Sequence, residues 1–214
     1  DVMLVTAGGR AIRFSTTAVR VFKGRDSTGV RGIRLADGDR VVSMAVIRHF
    51  EATPEERAAY LKMRRAVAGM AEDAEGAEAA EDDEAVADVA LPQERYAQMS
   101  AAEDLILTIT AQGAGKLSSS HDYPVRGRGG QGVAAMDRAM RGGRLVASFP
   151  VEIDDQIMLV TSTGQSIRCP VEGISFRSRG AGGVKVFDTA RGEEVVSVAW
   201  IADQGDDTET NPGD

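Results

Sequence analysis

The 214-residue sequence is poor in the residue types that most often announce chemistry: one Cys, one Trp and two His, with six Phe and three Tyr completing a thin aromatic set. A lone thiol, Cys169, can close no internal disulfide, which removes the disulfide-stapled secreted scaffolds and makes a reducing cytosol the default setting. It lacks an evident base nearby in sequence and reads as a small buried hydrophobe rather than a nucleophile. His49 and His121 have no Cys or paired His at ligand spacing, so no metal site is expected and both read as ordinary surface histidines. Apolar runs such as 41–47 fall far short of the roughly 20 residues of a membrane helix. No charged-then-apolar leader is present, and the first residues enter a strand pattern with no initiator Met, so the chain is expected to be part of a longer protein. With few aromatics to fill a helical core and 24 Gly, the composition favours short strands joined by tight turns, an all-β chain.

Charge is plentiful but segregated. The net charge is −8, yet residues 1–50 sum to +5, 51–103 to −9, 104–202 to +1 and 203–214 to −5. Two acidic blocks mask a body that is net positive and dominated by Arg, and that body can meet phosphate.

An internal repeat occurs three times. Val2-Met3-Leu4-Val5-Thr6 with Gly9 returns as Ile106-Leu107-Thr108-Ile109-Thr110 with Gly113, and as Ile157-Met158-Leu159-Val160-Thr161 with Gly164. Each unit continues to a Gly-Val pair, at Gly29-Val30, Gly132-Val133 and Gly183-Val184, and closes on a strand at 41–45, 145–149 and 195–199. About four short β-rich runs per unit predict antiparallel blades at 1–50, 104–153 and 154–202, a propeller-like architecture whose radial stacking protects sheet edges. Three blades cannot close a ring, so an open part of a larger assembly is expected. The region 51–103 is an insertion. Thr53-Pro54-Glu55-Glu56 supplies an N-cap, a Pro at the first helical position and a capping-box Glu leading into a helix over 57–65, with Gly69 a plausible stop. From 71 to 90 the chain is nearly all Ala, Glu and Asp, either a solvated helix or disordered.

Function is carried by the loop before each Gly-Val pair, where cations recur: Arg20, Lys23 and Arg25, with Arg31 and Arg34 just after; Arg126 and Arg128; Arg177 and Arg179, then Lys185. Equivalent loops project from one rim, so these Arg clusters predict a curved positive track. A duplex presents one negative charge per roughly 1.7 Å, and such a track binds it by counterion release without reading bases. The bland alternative is that the arginines solvate sheet edges.

Here the residues resemble a known family. Thr28-Gly29-Val30-Arg31-Gly32-Ile33-Arg34-Leu35, then Gly38-Asp39-Arg40-Val41-Val42-Ser43, with Asp155-Gln156-Ile157-Met158 and Arg179-Gly180-Ala181-Gly182-Gly183-Val184, look like the C-terminal DNA-wrapping domain of the DNA gyrase A subunit, over about 1–50 and 104–202. The resemblance implies the last three blades of a six-bladed β-pinwheel, sequence-independent binding and wrapping of double-stranded DNA, and a place in an ATP-dependent type II topoisomerase that introduces negative supercoils in the bacterial cytoplasm, at the nucleoid. It also implies that ATP and Mg are bound elsewhere in the holoenzyme, and that the contacts with the gyrase B subunit, like those with a second A subunit, lie in N-terminal parts outside this chain. The family's Gln-Arg-Arg-Gly-Gly-Lys-Gly box belongs to the first blade, upstream; Arg126-Gly127-Arg128-Gly129-Gly130-Gln131-Gly132 is the equivalent loop of a later blade. The family's catalytic tyrosine lies in another domain, so Tyr60, Tyr96 and Tyr123 inherit no catalytic role. The related topoisomerase IV protein shares the blade and is the alternative, as is a propeller-like protein-interaction scaffold.

The sharper motifs have bland readings. Gly127-Arg128-Gly129-Gly130-Gln131-Gly132 formally fits G-x-G-x-x-G, but no buried strand precedes it. Asp154-Asp155 and Glu193-Glu194 sit in turns as solvated charge, and Trp200 is read as core. The acidic blocks at 72–88 and 203–214 are solvated linkers or tethered competitors of DNA.

Overall fold

A computed structural model of the chain describes residues 1–67, 89–136 and 143–201. Each repeat unit begins with a hairpin: β1 (Val2–Thr6) with β2 (Arg10–Phe14), β4 (Leu105–Thr110) with β5 (Ala114–Ser119), and β8 (Gln156–Thr161) with β9 (Ser166–Pro170), all antiparallel. The repeated Thr-x-x-Gly signature explains these turns. Gly9, Gly113 and Gly164 hold φ of 85°, 78° and 86°, a left-handed conformation that favours glycine. The hydroxyl of Thr6, Thr110 or Thr161 accepts the amide of the fourth residue on, Arg10, Ala114 or Gln165, at 3.1 to 3.3 Å.

The closing strands β3 (Val41–Val46), β7 (Leu145–Val151) and β11 (Val195–Ile201) pair antiparallel with the first strand of their own units. All three carry a register shift at the same place, beside Thr6, Thr110 and Thr161, so a bulge twists each blade alike.

The fourth strand departs from the expectation of self-contained four-stranded units. β6 (Val133–Ala134), in the second unit, joins the first sheet beside β2, and β10 (Val184–Lys185), in the third, joins the second sheet beside β5. The sheets therefore read β3-β1-β2-β6, β10-β5-β4-β7 and β11-β8-β9. In the second and third units the Gly-Val pair leads into a donated edge strand, so sequence repeats and sheets are offset by one strand.

Burial follows from stacking. One apolar cluster lies between the first and second sheets, with Met3, Val5, Ala45 and Ile47 against Ile106, Ala135, Met136 and Leu145. A second lies between the second and third, with Leu107, Ile109 and Val151 against Ile157, Leu159, Val171 and Val195. The middle sheet is thus covered on both faces, which is why β4 and β5 are buried almost throughout while β8 alternates. The hydroxyls this buries are paired, as Thr108 is with Ser148 at 3.0 Å.

The insertion forms α1 (Pro54–Val67) and α2 (Gln93–Ala101). The capping box is reciprocal: Thr53 N donates to Glu56 Oε2 at 2.9 Å and Glu56 N to Thr53 Oγ1 at 3.2 Å. Gly69, most of the acidic run and residues 202–214 lie outside the described residues. Helix α2 has no strong sequence signal, having Pro92 in place of a side-chain cap. It is held by packing: Tyr60, Leu91 and Met99 form a small core with Phe50 and Tyr96.

His121, expected on the surface, is 2% exposed at this junction. Its Nε2 lies 2.8 Å from Met99 O, and the rings of Tyr60 and Phe50 meet it edge-on at 5.0 and 5.7 Å. Burial pushes its pKa below the ordinary value. Trp200, expected in the core, is 54% exposed, with its indole N–H donated to Asp155 Oδ2 at 2.6 Å.

Candidate nucleic-acid interface

Arg20, Lys23, Arg25, Arg31 and Arg34 are all exposed on the first unit, as are Arg126 and Arg128 on the second. Arg177 is half-buried. Lys185 is exposed and pairs with Asp188 at 2.6 Å, an open i,i+3 contact of small energy. The Arg20 guanidinium lies 4.5 Å from the centre of the Phe22 ring. The first two loops interleave: Gly129 N donates to Gly32 O at 2.7 Å and Arg34 N to Gly130 O at 2.8 Å. Arg31, Arg34 and Arg128 consequently belong to one patch.

Aligned on their Gly-Val pairs, the loops share a pattern of cation, any residue, Arg, three residues, Gly-Val: Lys23 and Arg25, Arg126 and Arg128, Arg177 and Arg179. The two cations do different work. Arg179 is 2% exposed, so the expectation that it lies on the rim is corrected. Its Nε donates to Asp122 O at 2.9 Å and one terminal nitrogen to Ala134 O at 2.6 Å, while its backbone N–H meets Asp122 Oδ2 at 2.6 Å. Arg128 repeats the arrangement one unit earlier, with Nε to Ala18 O at 3.1 Å and a terminal nitrogen to Arg31 O at 2.9 Å. Ala18 and Arg31 are the repeat equivalents of Asp122 and Ala134. This arginine is a clasp between consecutive units, made by the planar fork of the guanidinium on two carbonyls. The first cation of the pattern, Lys23, Arg126 or Arg177, stands two residues before the clasp position.

Two further buried cations join the units, and sequence reasoning missed both. The Lys116 ammonium, fully buried, donates to Ser178 O at 2.9 Å, Arg179 O at 2.5 Å and Ala181 O at 2.6 Å. Its signal was a lysine at a strand position filled by Ile12 and Ile167 in the other units. The Arg13 guanidinium bonds Asp1 Oδ2 at 2.8 Å, Ser120 O at 2.8 Å and Arg48 O at 2.9 Å, and burial lowers its pKa to about 10, so it stays charged at neutral pH.

The remaining motifs resolve structurally. Gly132 opens a strand, not a helix, so the glycine-rich loop is no dinucleotide cradle. Asp155 and Glu193, expected as solvated charge, are buried turn caps. Asp155 accepts from Glu152 N and Trp200, and Glu193 from Ala190 N and the hydroxyls of Thr161 and Thr163, which lower its pKa. Cys169 is half-buried against the second cluster, and burial raises its pKa. Among the described residues no group of three or more His, Cys, Asp or Glu is placed to hold a metal ion, and no helix is long and apolar enough to cross a membrane.

Comparison with known proteins agrees with this geometry. The family model described as the DNA gyrase C-terminal domain, beta-propeller, matches residues 1–48, 104–152 and 155–199. The DNA gyrase A subunit of Granulibacter bethesdensis is 46% identical over 98% of this chain and 24% of its own length; that of Rickettsia bellii is 40% identical over 97% and 22%. The chain thus spans about a quarter of the length of these relatives. Among solved structures, the C-terminal domain of DNA topoisomerase IV matches 93% of this chain and 46% of its own at a TM-score of 0.62 and 20% identity, and the E. coli ParC C-terminal domain matches 93% and 61% at 0.52 and 13%. These two likenesses concern the fold. Three matched segments that coincide with the three repeat units show that the chain belongs to the DNA gyrase C-terminal domain family of β-propellers.

Proposed function

We propose that this chain binds double-stranded DNA without reading its sequence and wraps it, as the C-terminal part of a gyrase A subunit within an ATP-dependent type II topoisomerase. The observation that carries the reading is the recurrence of a cation at the same loop position, two residues before the clasp position, in three consecutive units: Lys23, Arg126 and Arg177. Stacked sheets set these loops side by side, and Arg20, Arg31 and Arg34 widen the positive surface on the first unit. Each phosphate neutralised releases a counterion, so binding rests on position along the backbone rather than on base edges. Bending a 20–30 bp stretch by 40–90° costs about 1–6 kcal/mol, which contacts repeated along a curved rim offset. Strand cleavage, ATP and Mg binding, and contacts with gyrase B and a second A subunit belong to other parts of the assembly, which works in the bacterial cytoplasm. Curated relatives named gyrase at 40% identity and above favour gyrase over topoisomerase IV, whose likeness here is one of fold.

The test is equilibrium binding of the full-length protein to a long duplex over a salt series, beside the triple variant Lys23→Ala, Arg126→Ala, Arg177→Ala. Loss of three phosphate contacts lowers the slope of log K against log salt by about 2.7. An unchanged slope in a folded variant overturns the proposal.

A further inference from the structure

The helical insertion falls outside the segments that match the family model, so α1 is an addition to the blades. Its charge is divided. Residues 54–67 carry Arg57, Lys62, Arg64 and Arg65 against Glu55 and Glu56, a net +2, while the rest of 51–103 carries −11. The inner face of α1 is seated on the second unit, where Tyr60 meets His121 edge-on at 5.0 Å. Two arginines seven residues apart then reach toward successive loops. Arg57 donates to Ala52 O at 3.1 Å and lines one cavity with Val125. The Arg64 guanidinium lies 4.8 Å from the centre of the Phe176 ring, and its Nε donates to Glu103 Oε2 at 3.2 Å. Val125 and Phe176 are equivalent positions of the second and third units, each bridged in parallel to the preceding unit, at Arg13 and Leu117. Each is followed directly by its loop cation, Arg126 or Arg177. Helix α1 therefore spans the gap between two consecutive cationic loops.

We propose that α1 extends the phosphate track, with Lys62 and Arg65 meeting backbone phosphates of the duplex between those met by Arg126 and Arg177, an assignment that rests on the duplex-binding reading. Positions 62 and 65, three residues apart, are neighbours on the helix surface, and both side chains are exposed while Ala59 and Tyr60 are buried. Arg65 Nε donates to Leu61 O of its own helix at 3.2 Å, and from Lys62 to Val67 the helix holds no acid. At 1.5 Å per residue the helix from Arg57 to Arg64 is about 10 Å long, and a duplex carries about six negative charges over that length. One cation per loop leaves most of those phosphates unmatched, and a positive helix laid across the gap supplies charge there. The labour is divided as it is in the loops: Arg57 and Arg64 hold the helix beside Val125 and Phe176, and Lys62 and Arg65 carry charge outward. An insertion that is acidic as a whole thus presents its basic helix to the rim.

The test is the salt dependence of binding to a long duplex in the full-length protein, measured for three variants beside the unsubstituted form: the pair Lys62→Gln, Arg65→Gln, the charge-preserving pair Lys62→Arg, Arg65→Lys, and the triple loop variant Lys23→Ala, Arg126→Ala, Arg177→Ala. Glutamine is a good helix former, so the first pair removes charge and keeps α1. The expected result is a slope of log K against log salt lower by about 1.8 in the glutamine pair, unchanged in the charge-preserving pair and lower by about 2.7 in the triple variant. A glutamine pair that keeps the native slope while the triple variant loses its share overturns the helix contact and leaves the duplex reading standing. Native slopes in both overturn the duplex reading and the helix contact with it. A charge-preserving pair that loses as much slope as the glutamine pair traces the effect to the packing of the helix rather than to its charge, and overturns the contact as well.

Discussion

Replacing Lys116 by Met keeps most of the aliphatic stem and removes only the ammonium. In the native joint that ammonium satisfies three carbonyls of the loop before Gly183, at 2.5 to 2.9 Å, with no exposure to water. The substitution leaves Ser178, Arg179 and Ala181 O without this donor, and an unsatisfied buried acceptor costs about 1–3 kcal/mol. The loop relaxes to hydrate part of this, and the cost of burying the ammonium is recovered, so the net loss is about 3 kcal/mol, at the low end for breaking a buried charged contact. At 1.4 kcal/mol per factor of ten, local opening becomes about a hundredfold more frequent. The place is specified too: Arg177 N donates to Leu117 O at 2.7 Å and Val186 N to Gly113 O at 2.9 Å, and both bonds belong to this joint. Hydrogen exchange at Arg177 and Val186 is the assay, with Gly9, in the hairpin of the first unit, as the internal control. Exchange at those two amides within threefold of the unsubstituted protein refutes the view that the ammonium holds the third unit on the second.

Leu107→Ala, at a side chain with no exposure between the second and third sheets, costs about 2–5 kcal/mol by urea unfolding, while Val67→Ala, 73% exposed, changes stability by less than about 0.5. His121 is held neutral by burial, so the unfolded chain binds the extra proton. Stability of the helical insertion on the second unit is therefore full above about pH 6.5 and falls as pH drops from there toward the lowered folded pKa. A urea series between pH 5 and 8 reads this slope, and His121→Gln flattens it.

The all-β class, the three units and their hairpins are legible because Thr-x-x-Gly and the β-branched runs are local signals that stacking does not override. The capping box at Thr53 and Glu56 is legible for the same reason. What escapes is decided between units. Val133-Ala134 and Val184-Lys185 look like internal strands of their own repeats, since nothing local says which sheet a two-residue strand will join. Arg179 reads as a surface cation because a rim arginine and a clasp arginine have the same composition around them; only comparison of Arg128 and Arg179 as paired positions separates the columns. The burial of His121 has no sequence signal because Met99 and Tyr60 create it, on an insertion whose packing has no counterpart in the other units. Trp200 shows the reverse: an indole that shares Asp155 with a turn keeps half its surface in solvent.

The donated edge strand also decides where the gene can tolerate additional sequence. Because neighbouring sheets are held by β6, by β10 and by the clasps, the covalent passage from β3 to β4 carries little of the joint. A passage that does not itself hold neighbouring sheets together can lengthen at small entropic cost, since doubling a loop adds only about 0.6 kcal/mol. Residues 51–103 occupy that passage. The corresponding stretch from β5 to β6 threads through the joint itself, where an added residue would displace Arg128 from its carbonyls and Gly132 from Ala11. Length variation among related chains should therefore collect after the closing strand of a unit and be scarce between its second strand and its Gly-Val pair, a pattern set by mechanics rather than by contact with any ligand.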